Sequence, residues 1–166
     1  MLKLLFAIIL LFFISLNTKA QSTDSLLKPS PIKTLTTEQY NALIKGQDQY
    51  GMGLVAELNG FPPSEKALKY KKELDLSPNQ IAALTKITTE LKRKKIEMGG
   101  FIVTNETKLD NMFRTKKLTE GDILFYANRT GIYQGELRIA ILMAAYNTYK
   151  LLSPQQINKL QTFKKS

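Results

Sequence analysis

A helix-start signature occurs three times in nearly the same form, at Leu35-Thr36-Thr37-Glu38-Gln39, Leu76-Ser77-Pro78-Asn79-Gln80 and Leu152-Ser153-Pro154-Gln155-Gln156. In each copy the hydroxyl of Thr36, Ser77 or Ser153 is spaced to accept from the backbone N–H three residues on. Gln39, Gln80 or Gln156 is spaced to reach back to the cap's own N–H, which makes a capping box. The leucine before each cap completes a hydrophobic staple, Leu35 with Tyr40, Leu76 with Ile81 and Leu152 with Ile157. Pro78 and Pro154 occupy the first helical position, where the missing N–H costs nothing. A degenerate fourth copy, Leu118-Thr119-Glu120-Gly121-Asp122-Ile123, carries Asp in place of Gln and keeps the staple. One local device therefore starts four helices, and a chain so punctuated is committed to an all-α fold.

The apolar positions between these starts agree. From Pro78 they fall at Ile81, Leu84, Ile87, Leu91, Met98, Ile102, Leu109, Met112 and Phe113, which is one face of a long helix running to Lys117. Gly99-Gly100 interrupts it, and a kink or short break is expected there. A second long helix is expected from Glu120 to Leu151, with Ile123, Leu124, Ala127, Leu137, Ile141, Leu142, Ala145 and Tyr149 on its apolar side. Shorter helices are expected at Thr37 to Gln49, Ser64 to Leu74 and Pro154 to Lys164, the last burying Ile157, Leu160 and Phe163. No stretch alternates as a strand does. The expected architecture is a long antiparallel helical hairpin with short flanking helices. So thin a hairpin cannot bury both its apolar stripes, so dimerisation is expected.

At the amino terminus, Lys3, an apolar run from Leu4 to Leu16 broken only by Ser15, and Thr18-Lys19-Ala20 together read as a secretory signal. The run is too short to span a bilayer comfortably, so residues 1–20 are expected to be removed, an uncleaved anchor being the alternative. Residues 21–35 hold Ser, Thr, Lys and two prolines without periodicity and read as a flexible leader. The remainder, 36–166, is one helical domain. Losing Lys3 and Lys19 lowers the formal charge from +10 to +8, which favours acidic partners, among them anionic lipid headgroups and acidic unfolded chains. Nucleic acid is disfavoured, since no zinc-finger spacing or RNA-binding aromatic motif is present.

The chain has no histidine and no cysteine. That excludes Ser-His-Asp and Cys-His catalysis, the common zinc sites, a disulfide framework and a lipoprotein thiol. The acids are spread singly among lysines, so a glycosidase-type carboxylate pair is not expected; the chain reads as a non-enzyme without a cofactor. Gly51-Met52-Gly53-Leu54-Val55-Ala56 has the letters of a dinucleotide fingerprint but follows a helix rather than a strand, and reads as a glycine hinge. The methionines are too scattered for a copper box and read as core filler. Lys92-Arg93-Lys94-Lys95 interrupts the apolar stripe. It is either a solvated face whose lysine stems lie along apolar neighbours or a basic patch for partners both acidic and apolar.

These Leu-Thr/Ser-x-x-Gln motifs, best matched at Leu76 to Gln80 and Leu152 to Gln156 and flanking a long helix pair in a small exported chain, resemble the Spy/CpxP family of periplasmic proteins. The segment around Ala56-Glu57-Leu58-Asn59-Gly60, with Gln134-Gly135-Glu136-Leu137-Arg138, is similar to a further branch of it. The resemblance implies a curved, cradle-like and usually dimeric helical protein that holds unfolded or aggregation-prone proteins in the periplasm without ATP. It also implies two alternatives, a regulator that docks on an envelope-stress sensor-kinase domain and a metal sensor. Where the metal-binding branch would carry histidines this chain has Lys66 and Ile141, as in a relative that has lost its ligands. The expected client surface combines Lys92, Arg93, Lys94 and Lys95 with Met98, Phe101 and Ile102.

Overall fold

The computed structural model describes residues 27–48 and 50–163; the expected signal segment lies outside them. Among the described residues the regular structure is entirely helical: α1 Thr37–Lys45, α2 Leu54–Leu58, α3 Ser64–Lys69, α4 Pro78–Thr115, α5 Glu120–Leu151 and α6 Pro154–Thr162. All four expected capping boxes form. The side chains of Thr36, Ser77, Thr119 and Ser153 accept from the third helical N–H, and Gln39, Gln80, Asp122 and Gln156 return the bond. Leu76 with Ile81 and Leu152 with Ile157 pack in a shared cluster, as a staple requires.

The long helices α4 and α5 pack against each other. Lys108 lies over the Tyr126 ring, Glu106 accepts from Thr130, and Phe101 packs on Tyr133, so numbers rise along one helix as they fall along the other. At 1.5 Å per residue α4 is about 57 Å long. Two cores hold the assembly. One joins Ala67, Leu74, Leu76 and Leu84 to Leu152, Ile157 and Leu160; the other joins Leu91 and Met98 to Leu137, Ile141 and Ala144.

The break expected at Gly99-Gly100 is absent, and α4 runs unbroken through both glycines. Gly99 serves packing instead. A Cβ there would come within 2.1 Å of the Leu43 carbonyl oxygen, so α1 crosses α4 at a point where only hydrogen fits. Gly100 faces open space.

Other boundaries differ for local reasons. The first helix stops at Lys45 because Gly46 adopts the left-handed conformation, and its N–H and that of Gln47 satisfy the last carbonyls. The helix expected to reach Leu74 ends at Lys69 and gives way to turns through Asp75, itself at positive φ. Folded structure also begins before Thr36. Ile32 is buried, and Asn41, itself buried, accepts from the Lys28 N–H and donates to the Lys28 and Thr37 carbonyls. The described part of the leader is thus tied down at Lys28, thirteen residues before its anchor.

The Gly51 to Ala56 segment is organised by Asp48, whose carboxylate accepts from the backbone N–H groups of Tyr50, Met52 and Gly53. Gly53 then brings the start of α2 against Ile141 of α5, the close approach expected of a hinge.

Candidate functional site

The two best-matched motif copies meet. Gln80 donates through Nε2 to the Leu151 carbonyl and to Oε1 of Gln156, and Gln156 donates to the Leu74 carbonyl and to Oε1 of Gln80. Each Oε1 still accepts from its own cap N–H. Leu35, Thr36 and Gln39 make a separate cap at α1, the last of these bonding the Thr36 N–H. The motif residues are therefore structural: they fix where α4 and α6 begin relative to each other.

The expected client surface does not assemble as one patch. Met98 and Ile102 are 6% and 3% exposed and belong to the interior between helices. The reason is the uninterrupted helix, which keeps positions 91, 98, 102 and 105 on one inward stripe. Most of the basic run is compensated. Arg93 pairs with Glu90 and Glu97, Lys94 with Glu97, and Lys95 with Glu65 of α3. Lys92 is exposed. Surface pairs of this kind are individually weak, but they remove most of the net positive field the run would carry alone.

A different surface is left open by the packing. Helices α1 and α3 lie on α4, and α2 and α3 on α5. Away from them, among the described residues, α4 and α5 line a groove of about 410 Å³. Its floor is Ile87 and Leu91 of α4 with Ala140 and Ala144 of α5. Ile139 and Met143, both more than half exposed or nearly so at 56% and 50%, form its lip. Charges of both signs border it, Lys86 and Lys94 with Glu90 and Glu136. Phe101 lies seven residues beyond Lys94 and carries the same face two turns further, its ring packed on Tyr133. Of the residues expected to bind clients, Lys94 and Phe101 are those that the structure places on this face.

The groove residues of α5 went unmarked in the sequence because the apolar stripe toward α4 was the stronger pattern. The signal was nevertheless there, since Ile132, Ile139, Met143 and Tyr146 repeat at spacings of seven, four and three on another side of the helix. A helix apolar on more than one side needs more than one neighbour.

Among the described residues no nucleophile with a base adjoins the groove, and no three His, Cys, Asp or Glu gather as a metal site. Ile141 is buried in the core and Lys66 lines a smaller groove beside Glu57 and Phe163. Among the described residues the two carboxyls held below their ordinary values lie elsewhere, at helix starts. Asp122 is held low by the Thr119 hydroxyl and N–H, and Glu38 by its own backbone N–H and the Thr36 side chain. What the open face can do chemically is hold an apolar segment with a few charges alongside. No helix among the described residues is long and apolar enough to cross a membrane. Compared with protein-family models, curated proteins and solved structures, the chain matches none of them.

Proposed function

We propose that this protein is a periplasmic, ATP-independent holdase that binds unfolded or aggregation-prone proteins, in the manner its resemblance to Spy/CpxP proteins implies. The observation that supports the reading is the uncovered groove between α4 and α5, apolar on its floor and lip and bordered by both signs of charge. Such a surface retains apolar segments of many sequences, because burial of apolar area is non-directional. The bordering charges keep it wet when empty. In this reading the helix pair is an antiparallel, cradle-like hairpin, and two copies associate as a homodimer. The signal segment directs the chain to the periplasm and is cleaved there.

The deciding experiment measures aggregation of two unrelated chemically unfolded clients, followed by light scattering, with and without the mature protein at equimolar ratio and without nucleotide. Delay of both supports the holdase. If neither is delayed, the reading is wrong, and a single sensor-domain partner becomes the alternative to pursue by affinity measurement.

A further inference from the structure

We infer that the end of the α4–α5 pair, around the turn from Lys116 to Thr119, is a docking point for an anionic bilayer surface. Four large apolar side chains stand in water there: Phe113, Ile123, Leu124 and Phe125, with Leu124 66% exposed. A cluster of that kind on a protein surface marks a contact region. Interleaved with it are Arg114, Lys116 and Lys117, and neither lysine enters an ion pair among the described residues. Lys116 takes the left-handed conformation that ends α4.

The nearby acids, Asp110, Glu120 and Asp122, are outnumbered by Lys108, Arg114, Lys116, Lys117 and Arg129. The Asp122 carboxylate is engaged by the Thr119 N–H and hydroxyl, and it and Glu120 occupy the first turn of α5, where the positive end of the helix offsets them. An approaching surface meets Lys116 and Lys117 at the turn and, within the first two turns of α5, the exposed side chains of Ile123, Leu124 and Phe125. That combination inserts a few side chains at the headgroup level while the cations meet lipid phosphates.

Shape and charge select the occupant. Between Asn105 and Leu137 no described residue is buried, so the end is a narrow projection two helices thick. A projection fits a plane, whereas an unfolded chain is held by a concavity such as the groove some sixteen residues away, about 24 Å along α5. The chain carries +10, and +8 without Lys3 and Lys19, which favours the negatively charged plane in either form.

The chain has no tryptophan, so a single reporter is unambiguous. Leu124→Trp places one at the tip and Met143→Trp places one at the groove, each in the full chain. On phosphatidylglycerol-containing vesicles the tip reporter is expected to shift to the blue and be quenched by brominated lipid, and on pure phosphatidylcholine vesicles to stay unchanged. The groove reporter is expected to respond to neither. Adding Lys116→Gln and Lys117→Gln is expected to weaken vesicle binding about 25-fold, at roughly fivefold per lysine near the surface. Binding through the run Leu4 to Leu16 would leave both reporters unchanged, and that result overturns the inference. So does an equal tip response on both lipids, or a tip response to unfolded protein but not to vesicles. None of these outcomes depends on whether the groove suppresses aggregation.

Discussion

The side-chain amides of Gln80 and Gln156, 76 residues apart, hydrogen-bond to each other in both directions, at 2.9 Å and 3.3 Å. Each also donates to a carbonyl shortly before the other's helix, Gln80 to Leu151 at the end of α5 and Gln156 to Leu74 in the turns before α4. The local device that starts a helix is here also the joint between the start of α4 and the start of α6.

That joint predicts coupling. Gln80→Ala and Gln156→Ala should each cost about 1–3 kcal/mol, since each removes a partner from the other amide and leaves a half-buried carbonyl without its donor. The double variant should lose less than the sum, by about 0.5–3 kcal/mol. Urea denaturation of the four proteins checks it. Strict additivity would mean the two boxes act separately.

The two adjacent glycines of α4 should respond oppositely. Gly100→Ala gains helix propensity of about 1 kcal/mol with nothing in the way. Gly99→Ala gains the same but drives a methyl into the Leu43 carbonyl, and overpacking of that kind costs about 1–3 kcal/mol. The expected outcome is a higher denaturation midpoint for the first and a lower one for the second.

Acid should loosen the start of α5. The Asp122 carboxyl is held below its ordinary value of 3.8, chiefly by the Thr119 hydroxyl and then by the Thr119 N–H. A depressed folded value means a contribution that is full above the unfolded value and lost as pH falls through the folded one. NMR titration should therefore give Asp122 a midpoint below 3.8, and Thr119→Ala should move it upward. Because the group lies at the surface, the change should be confined to the first turn of the helix.

If the open groove receives clients, polar replacement of its lip should separate activity from stability. Ile139→Ser and Met143→Ser are expected to reduce aggregation suppression together while changing stability by about 0.5 kcal/mol or less, as exposed substitutions usually do. Met98→Ser, at a buried position, should instead lower the denaturation midpoint. Retained suppression in the double lip variant would place client binding elsewhere.

Helix starts were legible in this sequence because a cap is decided by five consecutive residues, and all four formed as Thr36, Ser77, Thr119 and Ser153 required. The long helices were legible by the same locality. What depended on distant chain was hidden. Nothing near Gly99 announces that Leu43 will press on it, so two glycines read as a break. The run Lys92 to Lys95 stayed open between a solvated face and a basic patch, because Glu90 and Glu97 lie within helical reach of Arg93 and Lys94 whereas nothing near Lys95 announces Glu65. Met98 and Ile102 followed the apolar stripe inward, and assigning them to a client surface conflicted with the periodicity that defined the helix. The second apolar side of α5, with Ile139 and Met143, left a periodic signal in the sequence, but that it stays open as a groove depends on where the short helices settle.

Asn105 is the last buried side chain of α4, 5% exposed and with an amide nitrogen that finds no acceptor among the described residues. Beyond it the two helices continue as an arm whose backbone bonds lie close to solvent. Amide exchange should reflect this division, slow near Leu84, Leu91 and Leu160 and graded toward rapid local opening past residue 105. Free energy is thus concentrated at one end of the molecule. The arm can bend, fray or be remodelled against whatever it touches without the base having to unfold, and sequence change there should be tolerated far more readily than at the Gln80–Gln156 joint.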